Sequence, residues 1–347
     1  MLDPQLQADF DALNATGYGA FKITSQSLSN RKWIVAFVSD QHPTRYYLYD
    51  RDTKKTQFLF TSQPALDAYQ LSPMTPISFQ ARDGMTLHGY LTLPIGKQPQ
   101  HLPTVLFVHG GPWVRDTWGF NTTVQWFANR GYAVLQVNYR GSTGYGKDYL
   151  NAGNREWAGK MHTDLLDGKQ WLIDKGYSDP NKIAIYGGSY GGYATLVGLT
   201  FTPNEFCCGV DIVGPSNIIT LLKTVPPYWA IFKAQNDIRI GSLEKDEEFL
   251  KARSPLYKVD AIVKPLLIGQ GANDPRVKQA ESDQIVSEMR SKNLPVEYLL
   301  FPDEGHSFQK PINRLKFCAA SEMFLAKYLG GRYEPPTAEE NWESLKR

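Results

Sequence analysis

Short apolar runs alternate with amphipathic segments over most of the chain, from about residue 75 onward. Runs rich in β-branched and aromatic residues predict strands, and apolar positions spaced three and four apart predict helices. Strands that alternate with helices predict an α/β fold with a doubly wound, mostly parallel sheet. The predicted strands are 104–108, 132–137, 182–186, 206–213, 265–269 and 296–301. The predicted helices are 121–130, 163–175, the segment after residue 189, 277–292 and 312–329.

The first 74 residues have a different pattern, in which short apolar runs are separated only by turn residues. This pattern predicts a small antiparallel β-meander, which should pack against another part of the chain because a lone small sheet is poorly stable. A hairpin with an Asp-Gly turn then opens the larger domain. The meander strands are predicted at 32–38, 44–49 and 56–60, the hairpin strands at 76–81 and 87–93, the larger domain at 75–335, and a polar C-terminal tail at 336–347.

One strand-to-turn-to-helix junction carries the sequence Gly187-Gly188-Ser189-Tyr190-Gly191. A strand that turns directly into a helix leaves no room for side chains beside the turning residue, and Gly187 and Gly191 supply that room. Ser189 can then stand exposed at the start of the helix. This Gly-x-Ser-x-Gly arrangement is typical of the nucleophile elbow of the α/β-hydrolase fold, although a chance Gly/Ser turn would show the same five residues.

An acid and a base follow this serine, each directly after a predicted strand. A serine hydroxyl needs an adjacent base that an acid orients, and in the elbow fold the order along the chain is Ser, Asp or Glu, then His. Asp274 follows strand 265–269, and His306 follows strand 296–301. Asp303 and Glu304 are alternative acids, but they lie too near His306 in the chain to reach its far ring nitrogen. We therefore predict a triad of Ser189, Asp274 and His306.

A glycine-rich loop, His109-Gly110-Gly111-Pro112, follows strand 104–108. Acyl transfer needs two N–H donors directed at the oxyanion of the tetrahedral intermediate. One predicted donor is the backbone N–H of Tyr190, and the other comes from this loop, which is similar to the HGGG-type loop of esterases with Pro in the fourth place. An ordinary Gly-Gly turn is the alternative interpretation.

Composition narrows the other classes of function. Lys and Arg number 37 and Asp and Glu number 35, so the net charge of +2 favours neither a nucleic-acid nor an anionic-membrane partner. The three cysteines form no disulfide framework, and no paired-Cys or paired-His spacing indicates a metal, so we expect no cofactor. The N-terminus shows no secretory signal, and no apolar stretch is long enough to span a membrane, which together predict a cytoplasmic protein.

Five motifs together resemble the catalytic domain of the prolyl oligopeptidase family, and its acylaminoacyl peptidase branch most closely. The resemblance extends from about residue 70 to 335. It implies Ser189, Asp274 and His306 as triad and the N–H groups of Gly111 and Tyr190 as oxyanion donors. The five motifs are 109–112, 138–146, 187–192, 271–277 and 304–306.

The resemblance also implies two substrate contacts. Arg276 would bind the carbonyl of the P2 residue of a peptide, for which a fixed multi-donor guanidinium is suited, whereas a surface Arg at a helix start is the alternative. Trp113 would line the S1 pocket, with a plain core role as its alternative. Separately from the resemblance, the segment 215–260, which contains Pro-Pro-Tyr-Trp at 226–229, is expected to shape the pocket.

The chain departs from the family at its front. Family members carry a β-propeller before the hydrolase domain, whereas residues 1–74 resemble only its last blade. The expectation is either a fragment of a longer enzyme or a naturally short form, with an open site, hydrolysis of small activated esters and poor peptide selectivity. Exposed sheet edges in such a piece favour self-association as a homo-oligomer.

Three functional hypotheses follow from the sequence. The first is a serine peptidase that cleaves peptide or acyl-aminoacyl bonds of small peptides through an acyl-enzyme on Ser189. The second is a carboxylesterase that uses the same triad on small acyl esters, and Arg276 favours the peptidase over it. The third is a non-catalytic interaction module, against which the complete triad argues.

Overall fold

The computed structural model describes residues 3–225 and 232–347. Residues 226–229, which belong to the segment expected to shape the pocket, lie outside the described residues. Two sheets organise the described chain: a four-stranded antiparallel sheet and an eight-stranded mixed sheet. The strands are β1 (Ala20–Gln26), β2 (Lys32–Val38), β3 (Arg45–Asp50), β4 (Lys55–Thr61), β5 (Met74–Gln80), β6 (Thr86–Thr92), β7 (Leu102–Val108), β8 (Ala133–Asn138), β9 (Ser178–Gly188), β10 (Cys208–Ile212), β11 (Leu266–Gly271) and β12 (Val296–Phe301). The α-helices are α1 (Gln7–Asn14), α2 (Thr122–Asn129), α3 (Lys147–Asn151), α4 (Lys160–Asp174), α5 (Tyr190–Thr200), α6 (Ile218–Lys223), α7 (Lys233–Arg239), α8 (Glu247–Ala252), α9 (Gln279–Ser291) and α10 (Pro311–Leu329).

The small sheet has the order β1-β2-β3-β4 with every neighbouring pair antiparallel. The prediction of a three-stranded meander is therefore wrong in its count, because β1 adds a fourth strand. Most of β1 is exposed at the edge of the sheet, and its register shifts between Ile23 and Ser25, so it lacks a clear apolar pattern. The core of this body includes Leu13 of α1 and Trp33 and Tyr49 of the inner strands.

The small sheet is attached to the larger domain by a buried glutamine. Gln125 of α2 donates from Nε2 to the carbonyl oxygens of Asp40 and Ser72, at 3.1 and 2.7 Å. Its Oε1 accepts from the Ser72 N–H at 2.9 Å, and Asp40 Oδ2 accepts from the Met74 N–H at 2.7 Å. A buried amide that satisfies backbone groups on both sides fixes the entry of the chain into β5.

The large sheet has the order β12-β11-β10-β9-β7-β8-β6-β5. The six strands from β12 to β8 pair in parallel, and β6 and β5 complete the sheet in antiparallel pairs. Separate buried clusters cover its two faces, one with α4, α5 and α9 and the other with α2 and α10. This is a doubly wound α/β-hydrolase architecture, as the sequence pattern predicts, and loops at the carboxyl edge of the parallel strands lie together.

The segment after α10 returns to the large sheet. Tyr132 Oη donates to the carbonyl of Gly330 at 2.7 Å, Trp342 is buried, and Lys346 forms a β-bridge with Leu299 of β12. The segment predicted as a polar tail thus covers the outer edge of this sheet through an apolar anchor. Among residues 3–225 and 232–347, no helix is both long and apolar enough to cross a membrane.

Candidate active site

Ser189 lies at the sharp turn between β9 and α5, with φ 58° and ψ −118°. A non-glycine residue at positive φ is strained and is held there by its surroundings. The flanking glycines leave the space that this turn needs: a Cβ on Gly191 would lie 2.1 Å from the Val108 carbonyl oxygen, and one on Gly187 would lie 2.5 Å from the Gly191 backbone. The elbow therefore requires glycine at both positions.

A chain of hydrogen bonds connects Ser189, His306 and Asp274. His306 Nε2 is 3.0 Å from Ser189 Oγ, and His306 Nδ1 is 2.7 Å from Asp274 Oδ2. The Asp274 side chain is fully buried, and its Oδ1 accepts the N–H groups of Arg276 and Val277 at 2.8 and 3.0 Å. The structure thus brings together the three side chains that the sequence selected from the loops after β9, β11 and β12.

The two alternative acids are engaged elsewhere. Asp303 pairs with Lys310 and accepts from Asn313, whereas the buried Glu304 accepts the N–H groups of Gln309 and Lys310. These contacts make Glu304 a brace for its own loop and leave the His306 Nδ1 position to Asp274.

Gly111 and Tyr190 lie with Ser189 in the wall of one cavity. Tyr190 is the first residue of α5, and the N–H groups of the first helical turn have no partner within the helix. Gly111 has φ 112°, and a Cβ there would lie 2.9 Å from Trp113 N, so this position also requires glycine. Both predicted oxyanion donors thus line the cavity that contains the serine.

A buried network beneath the glycine-rich loop was not predicted from the sequence. His109 Nε2 is 3.0 Å from Ser142 Oγ, its ring stacks on Tyr139 at a centroid distance of 4.3 Å, and Tyr139 Oη donates to the His109 carbonyl at 2.9 Å. Burial lowers the pKa of His109 to about 4, so the ring is neutral near pH 7. The signal was present, because Tyr139 and Ser142 lie in the 138–146 motif, but only the fold brings them beneath His109.

The cavity beside Ser189 has a volume of about 320 Å³ and a mostly apolar wall. Trp113 and Arg276 both line it, as expected for substrate contacts, and the guanidinium of Arg239 lies 4.8 Å from the centroid of the Trp113 ring. Trp157, which the sequence did not single out, also lines the cavity. The remaining apolar lining comes from the segment 215–260 that was expected to shape the pocket, although the individual contacts were not predicted: Pro215, Leu221, Leu222, Val225, Phe232 and Ile240.

The arrangement can carry out acyl transfer. His306 Nε2 is within reach of the Ser189 hydroxyl proton. Asp274 fixes the imidazole so that its own N–H proton lies on Nδ1 and Nε2 can accept the proton of the serine. In the part of the chain that the structure describes, no group of three or more His, Cys, Asp or Glu side chains could hold a metal ion.

Comparison with known proteins places this geometry in a family context. The model of the prolyl oligopeptidase family matches residues 118–332. Dipeptidyl aminopeptidase BIII of Pseudoxanthomonas mexicana is 55% identical over 344 residues, which are 96% of this chain and 50% of that protein. An acylamino-acid-releasing enzyme of Arabidopsis thaliana is 29% identical over 214 residues, 60% of this chain and 28% of that protein.

A solved structure of a puromycin-hydrolyzing peptidase from Mycobacterium tuberculosis superposes with a TM-score of 0.80. It is 29% identical in sequence, and the match covers 88% of this chain and 47% of that one. The chain therefore spans about half the length of the Pseudoxanthomonas mexicana and Mycobacterium tuberculosis proteins.

Proposed function

The chain belongs to the prolyl oligopeptidase family, and we propose that it is a serine peptidase that cleaves small peptides through an acyl-enzyme on Ser189. The observation that carries this proposal is the hydrogen-bonded chain from Ser189 Oγ through His306 to the buried Asp274. Such a relay supplies the activated nucleophile that amide cleavage needs.

In the first half of the reaction, Ser189 Oγ attacks the carbonyl carbon while its proton passes to His306 Nε2. The N–H groups of Gly111 and Tyr190 bind the oxyanion of the tetrahedral intermediate. When the C–N bond breaks, His306 returns the proton to the leaving amine. Water then attacks the acyl-enzyme while His306 accepts a proton from it. His306 passes this proton to Ser189 Oγ as the bond between Oγ and the acyl carbon breaks and the acid product leaves.

Two features of the cavity favour a peptide as the substrate. Its apolar wall suits the side chain on the acyl side of the cleaved bond, and Arg276, whose guanidinium carries several N–H donors, lines the same cavity. The relatives also support a peptide, because one is named a dipeptidyl aminopeptidase and another an acylamino-acid-releasing enzyme. We therefore propose dipeptidyl or acyl-aminoacyl substrates. The cytoplasmic location predicted from the sequence stays a prediction.

A panel of three substrates on one sample tests this proposal: a dipeptide 4-nitroanilide with a free amine, an N-acetylated phenylalanine 4-nitroanilide, and p-nitrophenyl acetate. We expect hydrolysis of at least one anilide, with a loss of about 10⁴-fold or more in the Ser189→Ala variant. Hydrolysis of the simple ester alone would support the carboxylesterase alternative. Equal turnover by wild type and Ser189→Ala would refute both.

A further inference from the structure

Glu281 is an acidic residue in an unusual place. It is the third residue of α9, and only 2% of it is exposed. A buried carboxylate is costly unless hydrogen bonds compensate for the lost water. Glu281 does not belong to the hydrogen-bonded chain of Ser189, His306 and Asp274, so proton transfer does not explain why it is buried.

Among the residues that the structure describes, the hydrogen-bond partners of Glu281 lie at the start of α6 or on α9 itself. Its Oε2 accepts the N–H groups of Ser216 and Asn217 at 3.0 and 2.9 Å. Its Oε1 accepts the hydroxyl of Thr220, and Gln284 Nε2 donates to Oε2 at 3.0 Å. The backbone carbonyl of Glu281 also accepts the Ser216 hydroxyl at 2.6 Å. One carboxylate thus accepts the backbone amides that precede α6 and a hydroxyl of its first turn.

These hydrogen bonds to Glu281 matter because α6 forms a wall of the cavity. Leu221 and Leu222 line the space beside Ser189. A helix of six residues is marginal by itself and depends on its contacts for its position. The other contacts at its start are the Asn217 cap, whose Oδ1 accepts the Ile219 N–H at 3.0 Å, and the Ser254 hydroxyl, which accepts the Ile218 N–H at 2.9 Å.

The start of α9, where Glu281 lies, is also hydrogen-bonded to the loop that contains Asp274. Ser282, next to Glu281, donates to Gln270 Oε1 at 2.8 Å. Gln270 Nε2 in turn donates to the carbonyl of Val277 at 3.1 Å, and the Val277 N–H binds Asp274 Oδ1. Glu281 therefore joins the segment that holds Asp274 to the cavity wall that would receive a substrate side chain.

We propose that Glu281 is a positioning residue that sets side-chain selectivity by fixing α6 against α9. This inference rests on the proposed function. Loss of the carboxylate leaves two buried N–H groups without their acceptor, so α6 shifts and the cavity fits large side chains poorly. The bond-making atoms stay in place, because Ser189, His306 and Asp274 do not contact Glu281 in the hydrogen-bond network described above.

The test uses two p-nitrophenyl esters that differ only in the group that enters the cavity, those of N-acetylphenylalanine and N-acetylglycine. In Glu281→Ala we expect the Phe/Gly ratio of kcat/KM to fall about tenfold, which corresponds to the loss of a well-packed apolar contact. The kcat/KM for the glycine ester should stay within about threefold of wild type. Glu281→Gln keeps one oxygen acceptor, so its Phe/Gly ratio should lie between those of wild type and Glu281→Ala.

A matched control lies on the same helix. Glu288, whose side chain is 52% exposed, faces solvent near Lys292, and Glu288→Gln should leave the ratio unchanged. Amide hydrogen exchange provides a second readout: the amides of 216–223 should lose protection in Glu281→Ala, whereas those of β9 should not. This readout separates a local shift of α6 from a general loss of structure.

An unchanged Phe/Gly ratio in Glu281→Ala would overturn the inference while leaving the proposed function intact. This includes the case in which kcat/KM falls equally for both esters in Glu281→Ala and Glu281→Gln. A wild-type protein that hydrolyses neither these esters nor either anilide of the substrate panel would instead refute the proposed function and, with it, this inference. The two failures are distinguished by the wild-type rate alone.

Discussion

At the scale of single residues, Asp274 is the acid that the geometry assigns to His306. Its carboxylate serves two functions, because Oδ2 binds His306 Nδ1 while Oδ1 accepts two backbone amides of its own loop. The amides fix the carboxylate, and the carboxylate fixes the tautomer and orientation of the imidazole.

Replacement of Asp274 by Asn should therefore impair chemistry more than binding. The amide presents a donor or a weaker acceptor to Nδ1 and favours the wrong tautomer of His306. We expect kcat to fall by about 10³–10⁴-fold with little change in KM, measured on the activated esters.

Asp303→Asn is the matched control on the neighbouring loop, since Asp303 binds Lys310 and Asn313 and not the histidine. It should retain activity within about threefold. A greater loss of kcat in Asp303→Asn than in Asp274→Asn would contradict the assignment of the acid.

The sequence predicted Ser189, Asp274 and His306 because each directly follows a strand, and parallel strands bring such loops to one edge. It did not predict the support beneath them. Ser142 is 33 positions from His109, and no local pattern indicates that the two side chains meet. Likewise, Glu281 looks like an ordinary acidic residue in the first turn of a helix until the fold covers it.

At the scale of elements, the elbow depends on how closely α5 approaches β7. The Cβ of any residue at 191 would overlap the carbonyl of Val108 at 2.1 Å. The backbone of Val108 cannot move away as the end of a flexible side chain can. The overlap would therefore displace Ser189 itself.

Two alanine substitutions in the same motif should consequently differ. Gly191→Ala should lower stability by about 1–3 kcal/mol or more and activity by about 10²-fold or more, because α5 must move away from β7. Gly188→Ala should be tolerated, since its nearest neighbours, atoms of Ile212, lie 3.8 Å away. Thermal unfolding and ester hydrolysis measure both, and equal effects would contradict the close-approach explanation.

The larger elements could be predicted where burial imposes a clear period. Strands β8 and β11 are buried at every residue and begin as apolar runs, at 133–135 and 266–268. In contrast, α1 went unpredicted, because Asp9 is a buried carboxylate held by Tyr49, Arg51 and Lys54 and does not look like a core position. The sequence pattern identifies apolar cores more readily than buried ion pairs.

At the scale of the whole molecule, buried titratable groups make stability depend on pH. His162 is buried on α4, with Nε2 2.9 Å from Thr202 Oγ1 and no partner for Nδ1 among the described residues. Burial lowers the pKa of His162 to about 4, below its ordinary value. The unfolded chain therefore binds this proton more readily, and the contribution to stability present above about pH 6.5 is lost as pH falls towards 4.

Asp116 and Asp211 act in the opposite direction. Burial raises the pKa of each carboxyl to about 7, so the folded chain takes up these protons first and gains stability as pH falls. The pH dependence of unfolding is therefore a sum of opposing terms, and a single variant is needed to isolate one of them.

The His162→Gln variant isolates the histidine. Its unfolding free energy, from urea titrations between pH 6 and 4.5, should decline less steeply than that of wild type, by up to about 1.4 kcal/mol per pH unit. Glutamine preserves a donor for Thr202, which limits other changes. Parallel curves for the two proteins would contradict the burial effect assigned to His162.

The central claim is that Ser189 forms an acyl-enzyme, and acid-quench mass spectrometry with the N-acetylphenylalanine p-nitrophenyl ester tests it most directly. Peptide mapping after the quench should find one N-acetylphenylalanyl group on Ser189 in wild type and none in the Ser189→Ala variant. An adduct on another residue, or hydrolysis that persists in Ser189→Ala without any adduct, would contradict the claim.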